Sequence, residues 1–246
     1  TGGTHTDVVV FNPASQTVVV SAKAETTHHD LALGIGEALT RLSALEWEGG
    51  LAAIDRIHLS TTLATNAIAE NLGHRVGLIL MGYDADRAGA RKLVAGLPQI
   101  SVALLRGRHN FYGQEDEPLD AAALREAVTN LENTVSGWAV SGFFSVKNPG
   151  HELAAAAIIK SLSTKPVTMG RDLTGRLDAI RRAATAALNA GLVPIIARLL
   201  DAVKLAAGQA GLTARLMVVK GDGSLVSEDW AREKPLEHVD RGPRAV

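Results

Sequence analysis

No cysteine occurs among the 246 residues. Disulfide scaffolds, thiolate zinc sites and cysteine nucleophiles are thereby excluded, because each needs the sulfur. An excess of either charge is also missing: 25 Lys and Arg stand against 26 Asp and Glu, for a formal net charge of −1. Proteins built to bind nucleic acid normally carry a basic face that displaces counterions from phosphates, so no nucleic-acid partner is expected. Aromatic residues are scarce, at 4%, which leaves Ala, Val, Leu and Ile to build the core. Long apolar runs are lacking too. The run 191–200 meets Arg198 and then Asp201, well short of the roughly 18 apolar residues that a membrane span needs, so no membrane association is expected. Thr1-Gly2-Gly3 opens the sequence without an initiating Met or the basic and apolar regions of a signal peptide, and a cytoplasmic location is the expectation.

What is present is the composition of an ordinary globular protein, 46% hydrophobic and 21% charged, long enough for one large domain or two small ones. Val8–Phe11 and Thr17–Ser21 are β-branched runs separated by the turn-forming Asn12-Pro13-Ala14-Ser15-Gln16, the pattern of a hairpin. Leu31, Ile35, Ala38, Leu39 and Leu42 recur at helical spacing before Gly49-Gly50, which predicts a helix over 31–45. Further strands are expected at 54–60, 75–81, 137–144, 166–169 and 215–219. Helical patterns fill 61–71, 119–131, 149–162 and 177–200, the last containing Pro194. Val76–Met81 is apolar throughout, as a strand buried on both faces requires. Strands alternating with helices define an α/β protein. The segment 82–113 is the least regular, with six residues of Gly or Pro, and reads as an inserted loop or a subdomain border near residue 85.

Four segments carry candidate chemistry. Gly2 and Gly3, with Thr4, Thr6 and Asp7, precede or open a strand. Adjacent glycines let backbone N–H groups form an anion-binding concavity, hydroxyls add donors, and Asp7 suits a metal-bound water. The same letters also spell a tight hairpin. Ser60-Thr61-Thr62-Leu63-Ala64-Thr65-Asn66-Ala67 crowds hydroxyls at a strand-to-helix junction, where unpaired N–H groups suit a phosphate or carboxylate and a single hydroxyl suffices as a cap. Lys147-Asn148-Pro149-Gly150-His151-Glu152 follows the strand ending near Phe144 and enters a helix, with Asn148 as ligand contact or as cap. His151 and Glu152 are neighbours on that helix, point to different sides, and do not make a metal site alone. His5 and His151 are read as structural or surface histidines. Lys220-Gly221-Asp222-Gly223-Ser224 ends a strand in a site or a plain turn. There is no Walker A sequence and no Rossmann fingerprint.

Taken in order, Thr1-Gly2-Gly3-Thr4-His5-Thr6-Asp7, Ser60–Ala67, Asn148-Pro149-Gly150-His151-Glu152, Arg181-Arg182-Ala183 through Leu188-Asn189-Ala190, and Lys220–Leu225 resemble the A-type subunits of the hydantoinase/oxoprolinase family, over nearly the whole chain to about Glu237. The resemblance implies an actin-like ATPase fold with ribonuclease-H-like halves, here its N-terminal portion, with mixed sheets flanked by helices. It implies ATP and Mg²⁺ as cofactors, a small cyclic amide such as a hydantoin or 5-oxoproline as substrate, a B-type partner subunit and a homo-oligomer. By the same resemblance Gly2, Gly3, Thr4 and Thr6 form the first phosphate loop. Asp7 and Thr6 are its catalytic residues, Asp7 also serving the metal, and Thr61, Thr62, Asn66, Asn148, Asp222 and Gly223 lie on the substrate side. The alternatives are a subunit of an ATP-dependent carboxylase and a non-catalytic nucleotide-binding or assembly domain. The expected organisation is an N-terminal region over 1–175 holding the first phosphate loop and the start of the hydantoinase A region over 176–246. The family's acidic residue before Thr-Gly-Gly and its second Gly-Gly-Thr loop are not among these residues, and 238–246 departs from the family's Ser-Gly-Pro-Ala pattern. The expectation is therefore an N-terminal fragment, or a chain with segments left out before Val246.

Overall fold

The β-branched runs near the start pair as expected. In this computed structural model, which describes residues 4–27, 29–83, 89, 92, 96 and 99–238, β1 (His5–Asn12) and β2 (Thr17–Glu25) form an antiparallel hairpin. Its turn is built by the Asn12 carboxamide, which accepts hydrogen bonds from the Ala14 and Ser15 N–H groups, and by Gln16 in the left-handed region at φ 56°. There follow α1 (Leu31–Ser43), β3 (Arg56–Leu59), α2 (Leu63–Ala69), β4 (Val76–Met81), β5 (Ile100–Leu105), β6 (Arg108–His109), β7 (Glu115–Glu117), α3 (Ala121–Leu131), β8 (Gly137–Gly142), α4 (Gly150–Leu162), β9 (Val167–Met169), α5 (Gly170–Leu173), α6 (Ala179–Gln209), β10 (Arg215–Val219), β11 (Leu225–Ser227) and α7 (Glu228–Glu233). Residues 1–71 with 195–246 form one compact unit and residues 72–194 another.

In the first unit, α1 is started by the Asp30 carboxylate, which accepts from the Ala32 N–H, and it buries Gly34, Ile35, Ala38, Leu39 and Leu42 as a single stripe. The helix packs on the hairpin. A separate three-stranded sheet is mixed: β10 runs parallel to β3 and antiparallel to β11. The helix expected over 61–71 is only seven residues long, and Asn71 leaves it at φ 53°.

The second unit is built on a parallel sheet in the order β5-β4-β8-β9. Every residue of β4 and β8 is buried, the signature of a sheet covered on both faces. Period-two alternation divides the load. Val76, Leu78 and Leu80 meet Ala179, Ala183, Ala186, Ala187 and Ala190 of α6, while Ile79 and Met81, with Trp138 and Val140, meet Leu124 and Val128 of α3 and Ala155 and Ile159 of α4.

Two expectations are corrected. Residue 85 lies outside the described residues, and the units divide instead at 71/72 and 194/195, with the irregular segment contributing β5 and β6 to the second unit. Helix α6, with Pro194 inside it, is apolar enough over an 18-residue window (mean hydropathy 1.6) to pass the length and composition test for a membrane span that the sequence reading found unmet. The helix extends to Gln209, beyond the expected Leu200, and 67% of that window is buried within the protein, as for a core helix.

Candidate functional site

Strand alternation decides what the first motif presents. Thr6 points inward, 3% exposed, with its hydroxyl 3.2 Å from the Thr26 hydroxyl, while the Thr4 carbonyl accepts from the Thr26 N–H at 2.9 Å. Asp7 points to the opposite face, exposed, its carboxylate 3.5 Å from the ammonium of Lys23, directly across the ladder. Thr4 is exposed beside the His5 ring, whose Nδ1 lies 3.2 Å from its hydroxyl. Gly2 and Gly3 lie outside the described residues. Between the hairpin and α1 is a groove of about 410 Å³ lined by His5, Lys23, Ala24, Glu25, Glu37 and Arg41. Arg41 there is committed to the Glu37 carboxylate and the Lys23 carbonyl.

In the second motif Thr62 stands at the N-cap without a side-chain cap bond, and the hydroxyl of the preceding Thr61 accepts from the Leu63 N–H at 3.1 Å. Thr62 is exposed, and the Asn66 amide donates to its hydroxyl at 3.5 Å. Asp222 and Gly223 form the turn between β10 and β11. Gly223 has φ 85°, and Asp222 accepts from the Ser224 hydroxyl at 2.6 Å and its N–H at 3.0 Å. These bonds, with the Lys220 ammonium at 3.3 Å, hold the Asp222 carboxyl down to about 2.

The segment after β8 is the most tightly determined. Asn148 accepts from the Gly150 N–H and donates to the Gly113 carbonyl, each at 2.9 Å, so it both opens α4 and ties that helix start to the β6–β7 hairpin. Glu152 is fully buried, its carboxylate accepting from the Gly142 N–H at 2.9 Å and the Arg171 N–H at 3.1 Å. Burial outweighs these bonds and raises its carboxyl above the ordinary range. Arg182, also fully buried, donates to the carbonyls of Gly142, Phe143 and Arg176. Tyr83 donates to the Ala179 carbonyl at 2.8 Å and meets the Ser141 hydroxyl at 2.8 Å, and burial pushes its phenol up to about 12. As expected for helical neighbours, His151 diverges from Glu152. Its ring lies 4.0 Å, centroid to centroid, from that of His109. Burial, with His151 alongside, lowers the His109 imidazole below its ordinary value.

Sequence reasoning singled out neither Tyr83 nor His109, and it cited Arg182 only within a motif. The available signal for Arg182 was the second cation of the Arg181-Arg182 pair, standing at the head of an Ala-rich helical run, since a charge in a core face needs dedicated partners. The described candidates from 4 to 71 and from 195 to 238 belong to the first unit and Asn148 to the second.

Two solved structures superpose on nearly all of the chain. The crystal structure of ATP-dependent caprolactamase from Pseudomonas jessenii gives a TM-score of 0.81 at 26% identity, and nucleotide-free acetone carboxylase gives 0.78 at 20%. Each covers 98% of this chain and 38% of the other. The fold is that of the N-terminal portion of an actin-like ATPase. The model of the hydantoinase/oxoprolinase N-terminal region matches residues 1–163, and the hydantoinase/oxoprolinase model matches 182–246. The chain belongs to the hydantoinase/oxoprolinase family. Among its curated relatives, the caprolactamase subunit alpha of Pseudomonas jessenii is 29% identical across 100% of this chain and 38% of its own length. The acetophenone carboxylase gamma subunit of Aromatoleum aromaticum is 30% identical across 78% of this chain and 30% of its own. The chain thus spans between 30% and 38% of the length of these relatives.

Proposed function

We propose that this chain is part of the A-type subunit of an ATP-dependent hydrolase that opens a cyclic amide by phosphoryl activation of its carbonyl. The observation that carries the reading is the likeness to caprolactamase over the full chain, in sequence and in structure. An unactivated amide has a weakly electrophilic carbon and a poor leaving group. ATP would phosphorylate the carbonyl oxygen, water would add to the activated carbon, the ring C–N bond would break with its nitrogen leaving as the protonated amine, and hydrolysis of the resulting acyl phosphate would release phosphate and the ring-opened carboxylate. Catalysis then consists of positioning and charge stabilisation.

The donors at the start of β1 fit a nucleotide phosphate with Mg²⁺ in their chemistry. Thr4 offers an exposed hydroxyl, and the Asp7 carboxylate, exposed and paired only loosely with Lys23, keeps lone pairs for metal-bound water. The Thr6 hydroxyl is turned inward to Thr26, so in this reading Thr6 contributes through its backbone and by fixing the hairpin. Gly2 and Gly3 add backbone N–H groups. We assign substrate-side roles to Thr61, Thr62, Asn66, Asp222 and Gly223 in the first unit and, separately, to Asn148 in the second. A B-type subunit and a second copy of the chain complete the assembly.

The likeness to the acetophenone carboxylase gamma subunit, at 30% identity, supports a second reading in which a ketone is activated for carboxylation. The deciding experiment supplies Mg-ATP to the polypeptide carrying this chain, together with its B-type partner. ADP release is measured with 5-oxoproline, hydantoin and caprolactam, and separately with ketones plus bicarbonate. Lactam-dependent ADP release with a ring-opened amino acid is expected, and Asp7→Asn should lower kcat by roughly 10²–10³-fold. Turnover with ketone and bicarbonate alone selects the carboxylase, and turnover with neither refutes the enzyme reading.

A further inference from the structure

His109 and His151 are the two buried histidines among the described residues, at 4% and 5% exposed, and they belong to different elements. His109 ends β6, and Glu115, at the start of β7, stands opposite it in the hairpin register. His151 is the second residue of α4. One ligand atom from each of His109, Glu115 and His151 falls within 4.8 Å of the others, and His151 Nε2 is 3.8 Å from the Glu115 carboxylate. Both ring nitrogens of His151 are buried with no hydrogen-bond partner. A neutral imidazole always carries one N–H and one lone pair, and native structures rarely leave both without a partner. This orphaned ring, turned toward a second imidazole and a carboxylate, marks a place built for an electrophile.

We propose that His109, Glu115 and His151 form a binding site for a divalent transition-metal ion of the zinc class, with an open coordination position on the Glu115 side. Two imidazoles and one carboxylate are the donor set of zinc-type ions, whereas Mg²⁺ and Ca²⁺ select oxygen ligands. Tetrahedral coordination at about 2.0–2.1 Å sets ligand atoms about 3.4 Å apart, so the 3.8 Å pair needs little closure. Glu115 is the exposed member and the free one to swing.

The frame around the site is rigid. Asn110 accepts from the Tyr112 and Gln114 N–H groups and donates to the Gln114 and Asp116 side chains, fixing the hairpin. Asn148 pins that hairpin to the start of α4. Gly107, at φ 133°, lets the chain enter the hairpin where a Cβ would lie 3.0 Å from Leu119 Cα and 3.4 Å from His151 Nδ1. The ion would therefore clamp β6–β7 to α4, close to the Glu152–Arg182 network at the end of β8.

The test is titration of the chelator-treated chain with Zn²⁺ alone by calorimetry, and with Co²⁺ alone by visible absorption. One equivalent of Zn²⁺ should bind, the Co²⁺ form should show the intense bands of a low-coordinate N/O site, and Zn²⁺ should raise Tm. Glu115→Gln, His109→Gln and His151→Gln should each weaken binding by more than about 100-fold, beyond the loss that removing an outer hydrogen-bond partner causes, while the exposed His5→Ala leaves it unchanged. Glu115 is exposed, so its variant keeps the test valid if a buried His variant unfolds. Absence of saturable one-equivalent binding in the wild type overturns the proposal, as does undiminished binding and Tm shift in folded Glu115→Gln.

Discussion

Gly77→Ala tests whether the central strands of the second unit are as closely fitted as the register implies. Gly77 on β4 stands opposite Trp138 on β8. A Cβ built there lies 2.4 Å from Cζ3 and 2.5 Å from Cε3 of the indole, where ordinary contact begins near 3.4 Å. Relief requires a shift of roughly 1 Å, well outside what a close-packed interior gives freely. The ring has nowhere to go: it is fully buried among Ile79, Met81, Val140, Leu124, Val128 and Ile159, and its Nε1 donates to the Ser163 hydroxyl at 3.2 Å. Overpacking of this kind costs typically 1–3 kcal/mol, and a strained Trp–Ser bond adds up to about 1 kcal/mol. Ala regains about 0.5–1 kcal/mol of strand propensity over Gly. The net expectation is a loss of about 2 kcal/mol, read as a urea midpoint lowered by about 1 M in far-UV circular dichroism. Trp138→Leu alone leaves a cavity, and the added methyl partly fills it, so the double variant should be less destabilised than additivity requires, by at least about 1 kcal/mol. Wild-type stability in Gly77→Ala, or strict additivity with Trp138→Leu, would refute the reasoning.

Two further outcomes follow from the network at the end of β8. Glu152→Gln sets an amide N–H₂ against one of the two backbone N–H donors and leaves the buried Arg182 without its nearby carboxylate; a loss of about 2–4 kcal/mol is expected in chemical denaturation, and a change within 0.5 kcal/mol, taken here as roughly the scatter of a surface substitution, would show that the carboxylate does not carry the network. For Tyr83 the native phenol holds its proton up to about 12 while the unfolded phenol loses it near 10. The native state then binds more protons across that window, so stability falls as pH rises through it, by roughly 2–3 kcal/mol in all. Absorbance at about 295 nm should show a late tyrosinate step that disappears in Tyr83→Phe, and an unchanged titration in that variant would move the step to another group.

The elements legible in the sequence are those whose burial is written into consecutive or periodic apolar positions. Val76–Met81 and Gly137–Gly142 are buried throughout and read directly as strands, and the 35/38/39/42 stripe of α1 reads as one face of a helix. The strand β5 was not legible, because only Leu105 of its six residues is buried and the others lie half-exposed at a sheet edge. β7 is Glu-Asp-Glu, with no strand propensity of its own; its pairing is imposed by the Asn110 turn. The short α7 is Glu-Asp-Trp-Ala-Arg-Glu, capped by the Ser227 hydroxyl, with Arg232 paired to Glu228 one turn away and to Asp201; six residues are too few for an apolar period, and the Asp201 contact lies 31 residues away along the chain.

The same limit governs the candidate chemistry. A motif read along the chain reports what neighbours share, and in this protein neighbours are separated by the geometry of their element: Thr6 and Asp7 by strand alternation, His151 and Glu152 by the helical turn. His151 and Glu152 diverge on the helix, and each must find partners elsewhere. Glu152 finds Gly142 and Arg171, closing the loop that ends β8. His151 finds His109 and Glu115, which precede it by an entire helix and strand and carry no motif of their own. Residue types were therefore readable and their partners were not. Only the fold, which folds a charged hairpin back onto the first turn of α4, turns an unremarked histidine and an exposed glutamate into a three-donor cluster.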